Sequence, residues 1–121
     1  IIEFLDLEGY RHARVADLPY GVRKKTEMAR ALVSEPKILL LDEPSSGLTS
    51  EETDDTAFVI EDIREDLGVT VVMIEHDMKL VNKVSDMVLA INEGRLLASG
   101  SASDVQGDPD VQAAYLGGQA A

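Results

Sequence analysis

The stretch KILLLDEPSSGL, residues 37–48, decides the fold. Four consecutive aliphatic residues, Ile38, Leu39, Leu40 and Leu41, stop at Asp42 and Glu43. Pro44 and a small polar turn of Ser45, Ser46, Gly47 and Leu48 follow. A short unbroken apolar run bounded by Pro36 and Pro44 reads as a strand buried on both faces. A carboxylate at the end of such a strand is costly unless it has a partner. Two of them side by side raise the question of what they serve.

A second run, VTVVMI at residues 69–74, has the same form and also ends in polar residues, Glu75, His76 and Asp77. Between the two runs, TSEE at residues 49–52 has the spacing of a capping box that opens a helix. That helix carries Val59, Ile60, Ile63 and Leu67 on one face, and Gly68 is placed to end it. Upstream, residues 23–33 have helical periodicity, with Met28, Ala29, Leu32 and Val33 on one side and Pro36 as the stop. Downstream come a short helix at 78–84, a strand, a turn at 92–94, a second strand, and a proline-initiated helical piece at 109–116. The tail GGQAA reads as flexible. The opening IIEFLDLEGY starts inside a hydrophobic pattern, without an initiating Met or a cap, and reads as a cut edge.

The order strand, helix, strand, helix, strand implies an α/β fold, with a mainly parallel sheet, a C-terminal β-hairpin and flanking helices. In open α/β sheets ligands sit beyond the carboxyl ends of the strands. Both apolar runs end in their polar residues there.

With 121 residues the chain makes one domain at most. Its 45% apolar content suffices for a core, and with 4% aromatics and no Trp that core is aliphatic. The net charge of −12 argues against the whole chain binding nucleic acid. The charge is uneven: residues 11–37 hold seven Lys and Arg against three acids, and residues 51–66 hold eight acids against Arg64, as two solvated helix faces would. The absence of cysteine excludes disulfides and thiolate metal sites. No apolar span of membrane-crossing length appears, so a tie to a membrane is expected to run through partners.

Asp42 could hold Mg²⁺ directly or through water, because that ion takes oxygen ligands and keeps some of its waters. Glu43, one residue on, points differently and could orient and deprotonate an attacking water. Such a division of labour fits phosphoryl transfer to water. Two solvated acids closing a strand would look the same in isolation; Pro44 and the turn after it favour chemistry. His76, at the same sheet edge, could bond a phosphate or hold the water against Glu43, and equally suits a surface or capping role. Leu18, Pro19, Tyr20 and Gly21 precede a helix, whose start attracts anions, and Gly21 would let the backbone approach closely. By itself this is also an ordinary helix-entry turn. No Gly-Lys pair occurs anywhere in the chain, so no phosphate-cradling loop of the form G-x-x-x-x-G-K-[ST] is present.

LPYGVRKKTEMARAL, KILLLDEPSSGL and VVMIEHDMKLV, in this order and spacing, resemble the second half of an ABC-transporter ATPase subunit. In particular they resemble the ATPases of branched-chain amino acid importers, as does the tail NEGRLLASGSASDVQGDPDVQAAYLG. The resemblance covers nearly the whole chain. It implies part of a P-loop NTPase-like three-layer domain, with residues 1–121 as the C-terminal part and ATP and Mg²⁺ as cofactors. Asp42 would be the Walker B acid associated with the metal, Glu43 the catalytic base and His76 the switch histidine. Ser45, Ser46, Gly47, Leu48 and Thr49 would form the D-loop. Leu18, Pro19, Tyr20, Gly21 and Val22 would form the signature loop, which contacts ATP bound to the other subunit of a head-to-tail dimer. The partners implied are that second ATPase subunit, membrane permease subunits and, indirectly, an extracytoplasmic solute-binding protein. The implied place is the cytoplasmic face of the membrane.

The chain departs from the family pattern in several places. Where L-S-G-G-Q is common, Pro19, Tyr20 and Val22 occupy the second, third and fifth positions, leaving phosphate contact to Gly21, its neighbours and the helix dipole. Thr49 stands where many D-loops have an acid. The Walker A loop, adenine-stacking aromatic and Q-loop would precede Ile1. A C-terminal fragment is therefore expected, binding ATP weakly and not turning it over alone. Its incompletely covered strands are expected to leave an unpaired edge or apolar patch that drives self-association. Two other readings fit the same residues: a soluble non-transport ABC ATPase, and a catalytically inactive interaction module.

Overall fold

A computed structural model of the chain describes residues 1–116 and divides it into two compact units, Ile1–His76 and Asp77–Ala121. The flexible tail expected at 117–121 lies outside the described residues.

The first unit opens with turns and two short 3-10 segments, Glu8–Tyr10 and Val15–Asp17. Then come helix α1 (Tyr20–Leu32), strand β1 (Ile38–Asp42), helix α2 (Ser50–Leu67) and strand β2 (Thr70–Ile74). β1 and β2 pair in parallel, with Leu39 opposite Val71 and Asp42 opposite Ile74. α2 begins where the capping box placed it. Thr49 Oγ1 accepts from the Glu52 N–H at 3.2 Å, and Glu52 Oε2 accepts from the Thr49 N–H at 2.9 Å. It ends at Gly68, whose φ of 64° is the left-handed cap.

The core of this unit joins Met28, Ala29 and Leu32 of α1, Leu39 of β1, Ile63 of α2 and Val69. Leu5 and Leu7 complete it, with Phe4 packed against them, while Ile1 and Ile2 are exposed. All of this lies against one face of the sheet. The reading of residues 38–41 as a strand buried on both faces needs correcting. Burial alternates: Leu39 is 4% exposed and Leu40 73%. Ile38, Leu40, Val72 and Ile74 form one apolar sheet face, each more than half exposed. An unbroken apolar run is what a strand covered on both sides requires, and in this unit only one side is covered. α1 also starts three residues earlier than its periodicity indicated, placing Tyr20, Gly21 and Val22 in its first turn rather than in a preceding loop. No apolar residue recurs there to signal helix, and Pro19 stands at the N-cap rather than at the first helical position that proline favours.

In the second unit, helix α3 (Met78–Val84) precedes an antiparallel hairpin of β3 (Val88–Asn92) and β4 (Arg95–Gly100). Glu93 and Gly94 turn it, both with positive φ, 49° and 77°, which is the two-residue geometry that suits strand twist. Helices α4 (Ala102–Gln106) and α5 (Pro109–Val111) follow, α5 continuing into a π turn, Gln112–Leu116. Ala90, Val105 and Val111 form one buried cluster of this unit, and Leu80, Val81, Val84 and Ala102 are buried too. Among the described residues, no helix is long and apolar enough to cross a membrane.

Candidate functional site

The carboxyl ends of β1 and β2 are neighbours because the strands are parallel and in register. Asp42 ends β1 and is exposed. Glu43 follows with φ 47°, a left-handed conformation that costs a non-glycine residue about 1–2 kcal/mol. Its N–H donates to Ile74 O at 2.8 Å, extending the ladder by one bond while the chain turns away. Glu43 Oε1 lies 3.3 Å from His76 Nδ1, with the side chains 48% and 74% exposed, respectively. A Glu–His contact so open to water contributes about 0–1 kcal/mol, so it cannot by itself hold the geometry it displays.

Beside this contact stands Glu75, a residue to which the sequence reading gave no role. Its Oε1 accepts from the Ser45 N–H at 2.9 Å and from Ser45 Oγ at 2.6 Å, and its Oε2 accepts from the His76 N–H at 3.0 Å. Hydrogen bonds to a charged acceptor contribute about 1.5–3 kcal/mol each. Ser45 is accordingly buried, at 8% exposure, as is Pro44. The signal that could have found Glu75 is the acid closing the second apolar run, as Asp42 closes the first.

A second cluster joins the start of α1 to the Ser46–Gly47 turn. Tyr20 OH donates to Ser46 O at 3.1 Å. A Cβ on Gly47, where φ is 77°, would lie 2.9 Å from the Tyr20 ring, so only glycine fits beneath it. A Cβ on Gly21 would lie 2.8 Å from Glu52 Oε1 and push that carboxylate off its capping bond. Gly21 thus has a close neighbour within the chain, the Glu52 carboxylate. Arg23 and Lys24 stand 5.7 and 5.6 Å from the Tyr20 ring centroid, within cation–π range. Leu18 is buried, Pro19 precedes the first turn of α1, and the N–H groups of Tyr20, Gly21 and Val22 have no acceptor within the helix. Thr49, the departure in the turn, caps α2.

So the structure gathers Glu43, His76, Ser45 and Glu75 at one rim with Asp42 beside them. It sets Tyr20 and Gly21 against Ser46, Gly47 and Glu52 at the next turn. Among the described residues no group of three or more His, Cys, Asp or Glu could hold a metal ion. An exposed Asp42 with no companion ligands suits a Mg²⁺ that keeps waters and phosphate oxygens, not a protein-only cage.

Comparison with known proteins adds what the geometry cannot. A family model described as "ABC transporter" matches residues 1–46, and one described as "Branched-chain amino acid ATP-binding cassette transporter" matches residues 95–121. The high-affinity branched-chain amino acid transport ATP-binding protein BraF of Pseudomonas aeruginosa is 42% identical over 116 residues, which are 96% of this chain and 46% of BraF. LivG of Escherichia coli, of the same description, is 39% identical with the same shares covered. The chain thus spans about half the length of the curated relatives it matches. The ATP-binding cassette MJ1267 in its ADP conformation superposes with a TM-score of 0.88 at 28% identity, over 96% of this chain and 47% of that one. An inward-facing putative metal-chelate type ABC transporter gives 0.87 at 25% identity, over 95% and 45%. These structures carry the α/β class expected from the sequence, a parallel sheet with an added hairpin.

Proposed function

We infer, for a chain that belongs to the ATP-binding cassette (ABC) transporter ATPases, that the β1–β2 rim carries out the water-activating and phosphate-sensing part of ATP hydrolysis. The observation that carries this reading is the Glu43–His76 contact at the carboxyl ends of two parallel strands. Glu43 is the base: it orients a water and takes its proton as the water oxygen attacks the γ-phosphorus. The bond to the bridging oxygen breaks, giving ADP and phosphate. His76 donates to the transferring phosphate and limits where the Glu43 carboxylate can swing. Asp42 would hold Mg²⁺ through one oxygen or a bound water; when bound, the ion neutralises phosphate charge. The first turn of α1, through the N–H groups of Tyr20, Gly21 and Val22, faces ATP held by a second subunit, with Leu18 and Pro19 setting the entry and Ser45, Ser46, Gly47 and Leu48 at the subunit boundary.

In the whole protein this chemistry would power import of branched-chain amino acids or a related small solute. The partners would be a second ATPase subunit, head to tail, membrane permease subunits and, through them, an extracytoplasmic solute-binding protein. The protein would lie on the cytoplasmic face of the membrane. These 121 residues alone carry no Gly-Lys phosphate loop and would bind Mg-ATP only in the millimolar range, about −4 kcal/mol, without turnover. Calorimetric binding at micromolar concentration would contradict that. The open face of Ile38, Leu40, Val72 and Ile74 would drive these residues to self-associate. The deciding experiment is Glu43→Gln in the complete protein. Loss of turnover with nucleotide-dependent dimerisation retained is expected; unchanged turnover would remove the proposed base.

A further inference from the structure

Residues 43–45 are fastened to the end of β2 on both sides of a strained position. On one side the Glu43 N–H donates to Ile74 O at 2.8 Å; on the other the Ser45 N–H and hydroxyl both donate to Glu75 Oε1, at 2.9 and 2.6 Å. Between these fastenings Glu43 has φ 47°. A side chain held in that region persists when its surroundings over-determine it, and here the surroundings are one carboxylate and one carbonyl from adjacent residues of β2's end. The same carboxylate, through Oε2, takes the His76 N–H at 3.0 Å. One side chain therefore sets the backbone beneath both members of the Glu43–His76 contact. That contact is too exposed to set itself.

We propose that Glu75 is the positioning residue of this rim: its carboxylate, bonded to Ser45 and to the His76 N–H, fixes where the Glu43 carboxylate and the His76 imidazole stand for hydrolysis. This rests on the ATPase reading above. The three donors that converge on Glu75 explain the residue type. A carboxylate accepts at both oxygens. A glutamine would offer one oxygen and an NH₂, setting a donor against a donor at either Ser45 or His76. An aspartate keeps the charge but is one methylene short of the reach to Ser45.

The test uses the complete ATPase assembled with its partner subunit, comparing Glu75→Gln, Glu75→Asp, Ser45→Ala and Glu43→Gln. Glu75→Gln is expected to lower kcat by about 10–100-fold, as an ångström-scale misplacement does, with KM for ATP within about twofold. Glu75→Asp should fall in the same direction, and it carries the test if the glutamine variant does not fold. Ser45→Ala removes one of the two bonds and should cost less. Its effect should largely vanish on a Glu75→Gln or Glu75→Asp background, since both changes break one network. A role in folding alone would instead lower the thermal midpoint and the fraction of active enzyme, leaving kcat per active site, counted by nucleotide titration, at the wild-type value. That pattern, or wild-type turnover in both Glu75 variants, overturns the proposal. Glu43→Gln separates the two failures. If it abolishes turnover while the Glu75 variants are normal, the positioning role is wrong and the base stands. If it leaves turnover intact, the rim is not the hydrolytic site and the proposal falls with it.

Discussion

In the second unit Asp77, Ser101 and Asp108 each accept from backbone N–H groups two or three residues ahead, closing the helix that follows. In the first unit Glu75 reaches Ser45, 30 residues away, and Tyr20 reaches Ser46, 26 away. The second unit also has long-range polar contacts, Asn82 with Gln106 and Tyr115 OH to Ile91 O, but these join neutral groups. A local cap states where a helix begins and works in any fold. A contact between distant acids, hydroxyls and imidazoles states how two strand ends stand relative to each other, which is what bond-breaking chemistry needs. The first unit has that kind at its strand ends.

The contrast is broken most directly through Glu43. Glu43→Gln in the complete protein should reduce kcat by about 10²–10⁴-fold, the ordinary contribution of a general base. Asp108→Ala should leave kcat where it was. Equal effects on steady-state turnover would erase the distinction between the units.

Stability tests the same difference. Ile63, 0% exposed in the core of the first unit, should cost about 2–5 kcal/mol on truncation to Ala, read as a shift in denaturant midpoint. Loss of a cap costs about 1 kcal/mol. Thr49→Ala should cost about that much, because it removes the Oγ1 that accepts from the Glu52 N–H while the Thr49 N–H still donates to Glu52 Oε2. If Thr49→Ala and Ile63→Ala are indistinguishable, the difference between a local cap and the core of the first unit is erased.

The local devices were legible in the sequence because each is written within about four residues. Thr49 with Glu52, Gly68 after the helix, the 92–94 turn and Pro109 all occupy the positions read for them. The side-by-side acids were legible as a place, since a buried run ending in carboxylates needs a reason. What could not be read was the partner of each. Nothing near Glu75 names Ser45, and nothing near Gly21 names Glu52. The left-handed turn at Glu43 is invisible as well, since glutamate gives no signal of positive φ. The start of α1 was misplaced because Tyr20, Gly21 and Val22 carry no periodic signal.

The smallest expected effect probes the sheet faces. Leu39 and Leu40 are adjacent leucines in one strand, and the apolar run does not tell them apart. In the structure they point opposite ways, 4% and 73% exposed. On these 121 residues, Leu39→Ala should cost about 2–5 kcal/mol and Leu40→Ala about 0.5 kcal/mol or less. Self-association through the open face changes the second number in a recognisable manner. Copies that cover Leu40 restore its burial, so the cost of Leu40→Ala would rise with protein concentration while that of Leu39→Ala would not. A cost for Leu40 that is large and independent of concentration would mean that the face is covered within the chain itself, and the alternating burial of β1 would then be wrong.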